Sequence, residues 1–268
     1  MAMELWAFAY ILLYAVAAGL YLGFHLGFGA GAARAGRVVL ALAFFVQLGD
    51  IGLRCFRLQH PLSSVSEAMA FTAWLMTGGF LLATFRYRLH AAGALAVPVV
   101  LVLLVLARVG PAEDSGGVPL GSPLATVHIF LATVGIATFA LAAVLAGLYL
   151  LQERRLKHKR LDLLRGADSA PLDTLDRLVA RCVSFGFPVF TLTIVTGAVW
   201  VAKLGLLRST SAVRPEYLLT VVAWAVLGVL LFARVGAGWR GRRAAWLTVG
   251  GFSAAAMVLV GYFLRHIA

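Results

Sequence analysis

Charge is scarce in this sequence, and acidic charge is scarcest of all. Only 13% of the 268 residues are charged, with 11 Asp and Glu against 23 Lys and Arg. So little charge cannot cover a water-facing globular surface. Cysteine is nearly absent too. Cys55 and Cys182 are the only two and no C-x-x-C occurs, which excludes a thiol-disulfide carrier. The chain has no H-E-x-x-H, no nucleophile set beside a base and no phosphate loop. The glycine-rich "GFGAGAARAG" follows no strand and fails the G-x-G-x-x-G order. These absences leave ordinary side-chain catalysis without residues, and the expectation is a protein that is not an enzyme.

Apolar residues are what the chain has in quantity, 62% of it, with a mean hydropathy of +0.94. A hydrocarbon core about 30 Å thick takes roughly 20 apolar residues per helical span. Uncharged or nearly uncharged runs lie near 5–27, 37–56, 66–85, 91–108, 123–152, 178–203, 216–235 and 244–264. They predict an all-α, polytopic transmembrane helical bundle of about eight spans. The fourth run is the weakest because it contains Pro98, and a seven-span alternative stays open. Nothing outside the runs is long enough to bury a core of its own, so residues 1–268 read as a single integral membrane domain. Residues 153–177 read as a basic, amphipathic cytoplasmic linker, whose Leu175, Leu178, Val179 and Cys182 continue at helical spacing into the sixth run.

Cytoplasmic connections carry an excess of Lys and Arg. Placing both termini outside puts 16 of the 23 basic residues in the inner connections, leaving 7 outside beside Glu113 and Asp114. That orientation, in a bacterial cytoplasmic (inner) membrane, is the one expected here. The net charge of +12 then reflects topology and anionic headgroups rather than nucleic acid. Cys55 and Cys182 fall on opposite sides and cannot pair. The first run has no basic leader and exceeds a cleaved signal core, so it is read as a helix. Gly19, Gly23, Gly27 and Gly31 recur every four residues, a stripe suited to close helix packing.

The few polar residues near span ends are the candidate site residues. Asp50 and Arg54 stand four apart at the outward end of the second run, fit for an ion pair or a cavity lining, with Gln47 one turn deeper. Ser64 and Glu67 have capping-box spacing, just after His60. His25, His90 and His158 sit at inner ends or in basic loops, where a histidine ordinarily faces headgroups. His128 enters the fifth run about a turn from the outward surface, and His266 ends the eighth. Two imidazoles at one membrane level are what bis-histidine ligation of a haem iron would require, while on the residues alone separate interfacial hydrogen bonds are the more ordinary reading. Trp6 and Trp200 are placed at the outward level, Trp239 and Trp246 at the inward one, with Trp74 and Trp224 deeper.

Four segments in order, "HPLSSVSEAMAFTAW", "HIFLATVGIATFALAAVLAGLYLLQERRLK", "LDTLDRLVARCVSFGFPVFTLTIVTGAVW" and "FARVGAGWRGRRAAWLTVGGF", resemble the cytochrome c assembly family, with its CcsA-type haem-handling proteins and HemX-like membrane proteins. The resemblance runs from about residue 57 to 265. It implies a membrane protein that handles haem on the outward face for attachment to apocytochrome c, in company with other cytochrome c assembly subunits. In CcsA-type members a tryptophan-rich WWD loop cradles haem between outward histidines. By position His128 matches the histidine before that loop and His266, more loosely, the one after it.

Two departures from the family pattern stand out. Arg214 occupies the place of an aspartate ahead of the retained Pro215, with Trp224 on a family tryptophan, and "VAKLGLLRSTSAV" between Trp200 and Arg214 has no tryptophan. Phe232 replaces a histidine that ligates haem within the membrane. Both point toward the HemX-like branch, accessory or regulatory to haem biosynthesis or cytochrome assembly. Three readings are therefore carried forward: a haem-handling assembly factor, a regulator or scaffold without haem, and a small-molecule transporter. The last would call for inverted repeats and midplane charges that are not seen.

Overall fold

The computed structural model describes residues 2–56, 62, 64–109, 123–157, 170–203 and 215–267, with side chains described except at 2–5, 215–217 and 258–267. His60, His158, Arg214 and most of the segment after Trp200 lie outside the described residues. His266 lies within a described helix, but its side chain does not.

Eight helices make up the described chain: α1 (Ala2–His25), α2 (Ala30–Phe56), α3 (Val65–Arg86), α4 (His90–Val109), α5 (Pro123–Lys157), α6 (Leu172–Lys203), α7 (Pro215–Gly236) and α8 (Arg242–Ile267). Lipid offers the backbone no hydrogen-bond partner, so each span must satisfy its own amides, and a helix does this within one segment. Among the described residues, α1 to α7 are long and apolar enough to cross a membrane, and α8 has 26 residues. The chain is a multi-pass membrane protein. α4 runs unbroken through Pro98 and α6 through Pro188. Membrane helices tolerate such prolines where neighbouring groups satisfy the freed carbonyls.

The helices alternate in direction. α1 packs on α2 and α4, and α3 on α4; α5 packs on α6 and α8, and α7 on α8. Two groups of four thus form in chain order, joined where α3 and α4 meet α5. The interior is small and aromatic. Tyr10, Tyr14 and Tyr21 of α1 are each 1% exposed or less, and Ala140, Ala142 and Ala146 of α5 are fully buried. Large apolar side chains such as Phe8, Phe45, Phe85 and Val229 stand outward, as a lipid-facing surface requires.

The expected glycine stripe does not form a helix interface. α1 stops at His25, and Gly27 (φ +100°) and Gly29 (φ +82°) make the turn into α2. Phe28 N–H bonds Gly23 O at 3.0 Å and Gly27 N–H bonds Phe24 O at 3.2 Å, a Schellman closure that needs the left-handed residue glycine supplies. Close approach is made elsewhere: the Tyr21 ring occupies the space a β-carbon on Gly93 of α4 would need.

At the end of the bundle opposite the termini, Asp176 of α6 ties three helices. Its Oδ1 accepts from Arg234 Nη2 at 3.0 Å and from the Gly241 N–H at 3.1 Å, and both side chains are largely buried. Leu175, Leu178 and Val179 are buried inside the bundle. His25 Nε2 accepts from Arg155 Nη2 at 3.2 Å, which joins α1 to α5 at this end.

Candidate functional site

Polar side chains collect at the other end, where the chain termini lie, in two places. The first is His128. Pro123 opens α5, a first-turn position where the missing N–H costs nothing. A turn and a half later the imidazole turns toward α6 and lies over Gly197, where an added β-carbon would come within 2.8 Å of His128 Cε1. His128 Nδ1 is 3.0 Å from Thr193 O and 3.2 Å from Thr196 Oγ1. A carbonyl oxygen only accepts, so Nδ1 carries the proton and Nε2 of the neutral ring keeps its lone pair.

Nε2 has no hydrogen-bond partner among the described residues, and the ring is half-buried. One nitrogen held by a main-chain carbonyl and the other left open is the way proteins prepare a histidine for a metal. Trp200 flanks the ring at 5.7 Å between centroids. Thr193, Thr196, Gly197 and Trp200 make one stripe along α6, spaced by three and four. Further along, Trp224 of α7 stacks on Phe187 at 5.8 Å and donates from Nε1 to Thr191 Oγ1 at 3.0 Å. Phe232 is 78% exposed and faces away from the bundle, so no ligand stands in the interior at that position.

The second place lies between α1, α2, α3 and α4. Asp50, 3% exposed, accepts from Arg54 Nε at 3.0 Å, and Arg54 Nη1 reaches Glu67 Oε1 at 3.2 Å. The pair expected from spacing is therefore a triad spanning two helices. Ser64 caps α3, its Oγ accepting from Glu67 N–H at 3.1 Å. Gln47 extends the polar line inward, accepting from Tyr14 O–H at 2.8 Å and donating to Ala70 O at 2.9 Å. Arg108, at the end of α4, donates to Tyr10 O–H and lies over the Tyr10 ring at 5.8 Å. Tyr10, Gln47, Asp50, Arg54, Glu67 and Arg108 line a small pocket of about 50 Å³.

The structure thus separates the sequence-expected site residues. His128 belongs to α5 and α6, while Asp50 and Arg54 belong to the first four helices. The contact between α5 and α8 brings the helix that carries His266 beside the one that carries His128. Sequence reasoning missed the α6 stripe beneath His128 and the approach of Tyr10, Glu67 and Arg108 to Asp50. The stripe had a signal in its helical spacing; the approach of Arg108 had none, since 98 residues separate it from Tyr10.

Comparison with known proteins adds the lineage. A CcsA cytochrome c biogenesis protein of Guillardia theta is 27% identical over 212 residues, covering 72% of this chain and 69% of its own. A CcsA of Microcystis aeruginosa is 24% identical over 240 residues, covering 72% and 73%. The inner membrane protein YpjD of Escherichia coli is 32% identical over 179 residues, covering 64% and 63%. No solved structure matches the chain. The cytochrome c assembly protein model matches residues 62–267, from the cap of α3 through α8, so that α1 and α2 stand before it. That match covers well over half of the chain, and the chain belongs to the cytochrome c assembly protein family.

Proposed function

We propose that this protein is a haem-handling factor of cytochrome c biogenesis, which holds haem as cargo at the terminal end of the bundle for delivery to apocytochrome c. The observation that carries the reading is the His128 to Thr193 O bond, which fixes the tautomer and leaves Nε2 open. Haem brought there would present its iron as a Lewis acid to Nε2, with His266 as the candidate second ligand and Trp200 and Trp224 offering aromatic surface. The chain's own part is positioning: α6 holds the ring at the Thr193 carbonyl, makes room for it at Gly197, and leaves the thioether chemistry to proximity rather than to a side-chain acid or base. On this reading it is not an enzyme.

The excess of basic residues at the opposite end supports an orientation with both termini outside a bacterial cytoplasmic membrane, one integral membrane domain throughout, and other assembly subunits as partners. A second reading, a HemX-like regulator or scaffold without haem, draws on the outward-facing Phe232 and on the tryptophan-free segment after Trp200. Arg214 belongs with these departures.

An absorption spectrum with a pyridine haemochrome assay decides between them, run on detergent-purified wild type and His128→Ala. Stoichiometric haem that falls in the variant supports the haem-handling reading. Haem-free protein from haem-replete cells supports the regulator.

A further inference from the structure

The pocket between α1 and α4 belongs to neither reading above, and its first two walls stand before the residues that match the family. Its charges are incompletely used. Asp50 is almost wholly buried and spends Oδ2 on Arg54, while Oδ1 has no hydrogen-bond partner. Buried carboxylate oxygens rarely remain so, and this one calls for a donor from within the cavity it lines. Glu67 adds a second carboxylate to the same wall. At the rim the balance reverses: Arg108 is exposed, bonds only the neutral Tyr10 hydroxyl, and has no carboxylate partner among the described residues.

A ligand complementary to this arrangement has a hydrogen-bonding cation at its inner end and an anion at its outer end. The volume of about 50 Å³ admits a primary ammonium or a few waters. The place also matters. The pocket lies at the ends of α2 and α4 and the start of α3, the level at which spanning helices meet lipid headgroups, and Phe56 and Val109, close in the chain to its rim, are 90% and 67% exposed, an apolar flank for acyl chains. We propose that this pocket binds the phosphoethanolamine headgroup of a membrane lipid, its ammonium donating to Asp50 and Glu67 and its phosphate accepting from Arg108. Phosphatidylcholine, which carries no N–H, is refused.

The test is lipid retention and thermal protection of the full-length protein, stripped in detergent and reloaded with phosphatidylethanolamine or phosphatidylcholine of matched acyl chains. Native mass spectrometry is expected to find one ethanolamine lipid held at least tenfold more tightly than choline lipid, with that preference lost in Asp50→Asn. Arg108→Gln, at an exposed position that leaves the fold intact, is expected to weaken both lipids and so to keep the test open should Asp50→Asn fold poorly. Equal retention of the two lipids, as a merely water-filled pocket would give, overturns the proposal. So does a preference unchanged in Asp50→Asn, or lipid retention unchanged in Arg108→Gln. Protection by soluble O-phosphoethanolamine equal to that by the lipid overturns the assignment to a membrane source. Haem content plays no part in any of these outcomes.

Discussion

His128 and Gly197 occupy complementary space: the imidazole lies where a side chain on α6 would otherwise be, with Cε1 2.8 Å from the position of the missing β-carbon. The histidine reaches the Thr193 carbonyl only because residue 197 is glycine.

Gly197→Ala is therefore expected to displace the ring and break the Nδ1 contact. Overpacking of this kind costs about 1–3 kcal/mol. The variant should remain folded by circular dichroism with a lowered melting temperature and, on the proposed haem-handling role, a Soret band reduced toward that of His128→Ala. A Soret band equal to wild type would show that the ring does not need this seat.

Asp176 and Arg234 test the opposite end. Removing one partner strands a buried charge, and Arg234→Ala or Asp176→Ala should each cost roughly 3 kcal/mol. Replacing both with leucine should recover much of that loss, since the pair is costly to desolvate as well as to break. Thermal unfolding in detergent of the two singles and the double measures the difference. A double variant as weak as the sum of the singles would contradict this account.

Tyr21 and Gly93 should behave as one unit across α1 and α4. Gly93→Ala places a methyl in space the Tyr21 ring fills, so the single change should destabilise by about 1–3 kcal/mol. In a Tyr21→Leu background the same change should cost markedly less. A double-mutant cycle reads the coupling directly, and additive effects would mean that α1 shifts freely.

Orientation can be read from the native cysteines. Cys55 is exposed at the terminal end, whereas Cys182 is partly covered in α6. A membrane-impermeant maleimide applied to intact cells should label Cys55, and Ser169→Cys in a cysteine-free background should react only after lysis. Labelling of the second position in intact cells would invert the topology.

Much of the fold was legible because lipid is a demanding solvent. It requires about 20 apolar residues per span, and the runs announce themselves in the sequence. Asp50 and Arg54 were legible for the same local reason, since four residues make one helical turn. What lay beyond reach was which helix each polar group faces. Glu67 joins Arg54 from another helix, and His128 meets a carbonyl 65 residues later in the chain. The glycine stripe misled because spacing by four has meaning only on an unbroken helix, and Gly27 and Gly29 break it.

The place of α5 has a consequence for how the bundle comes into being. α1 with α2, α3 with α4, and α7 with α8 each close over turns of a few residues, contacts that need no distant part of the chain. α5 draws partners from both directions: α3 and α4 precede it in the chain, while α6 and α8 follow. If the helices enter the membrane in chain order, α5 meets α3 and α4 before α6 is present, and His128 gains its carbonyl partner, and with it a fixed tautomer, only once α6 has followed.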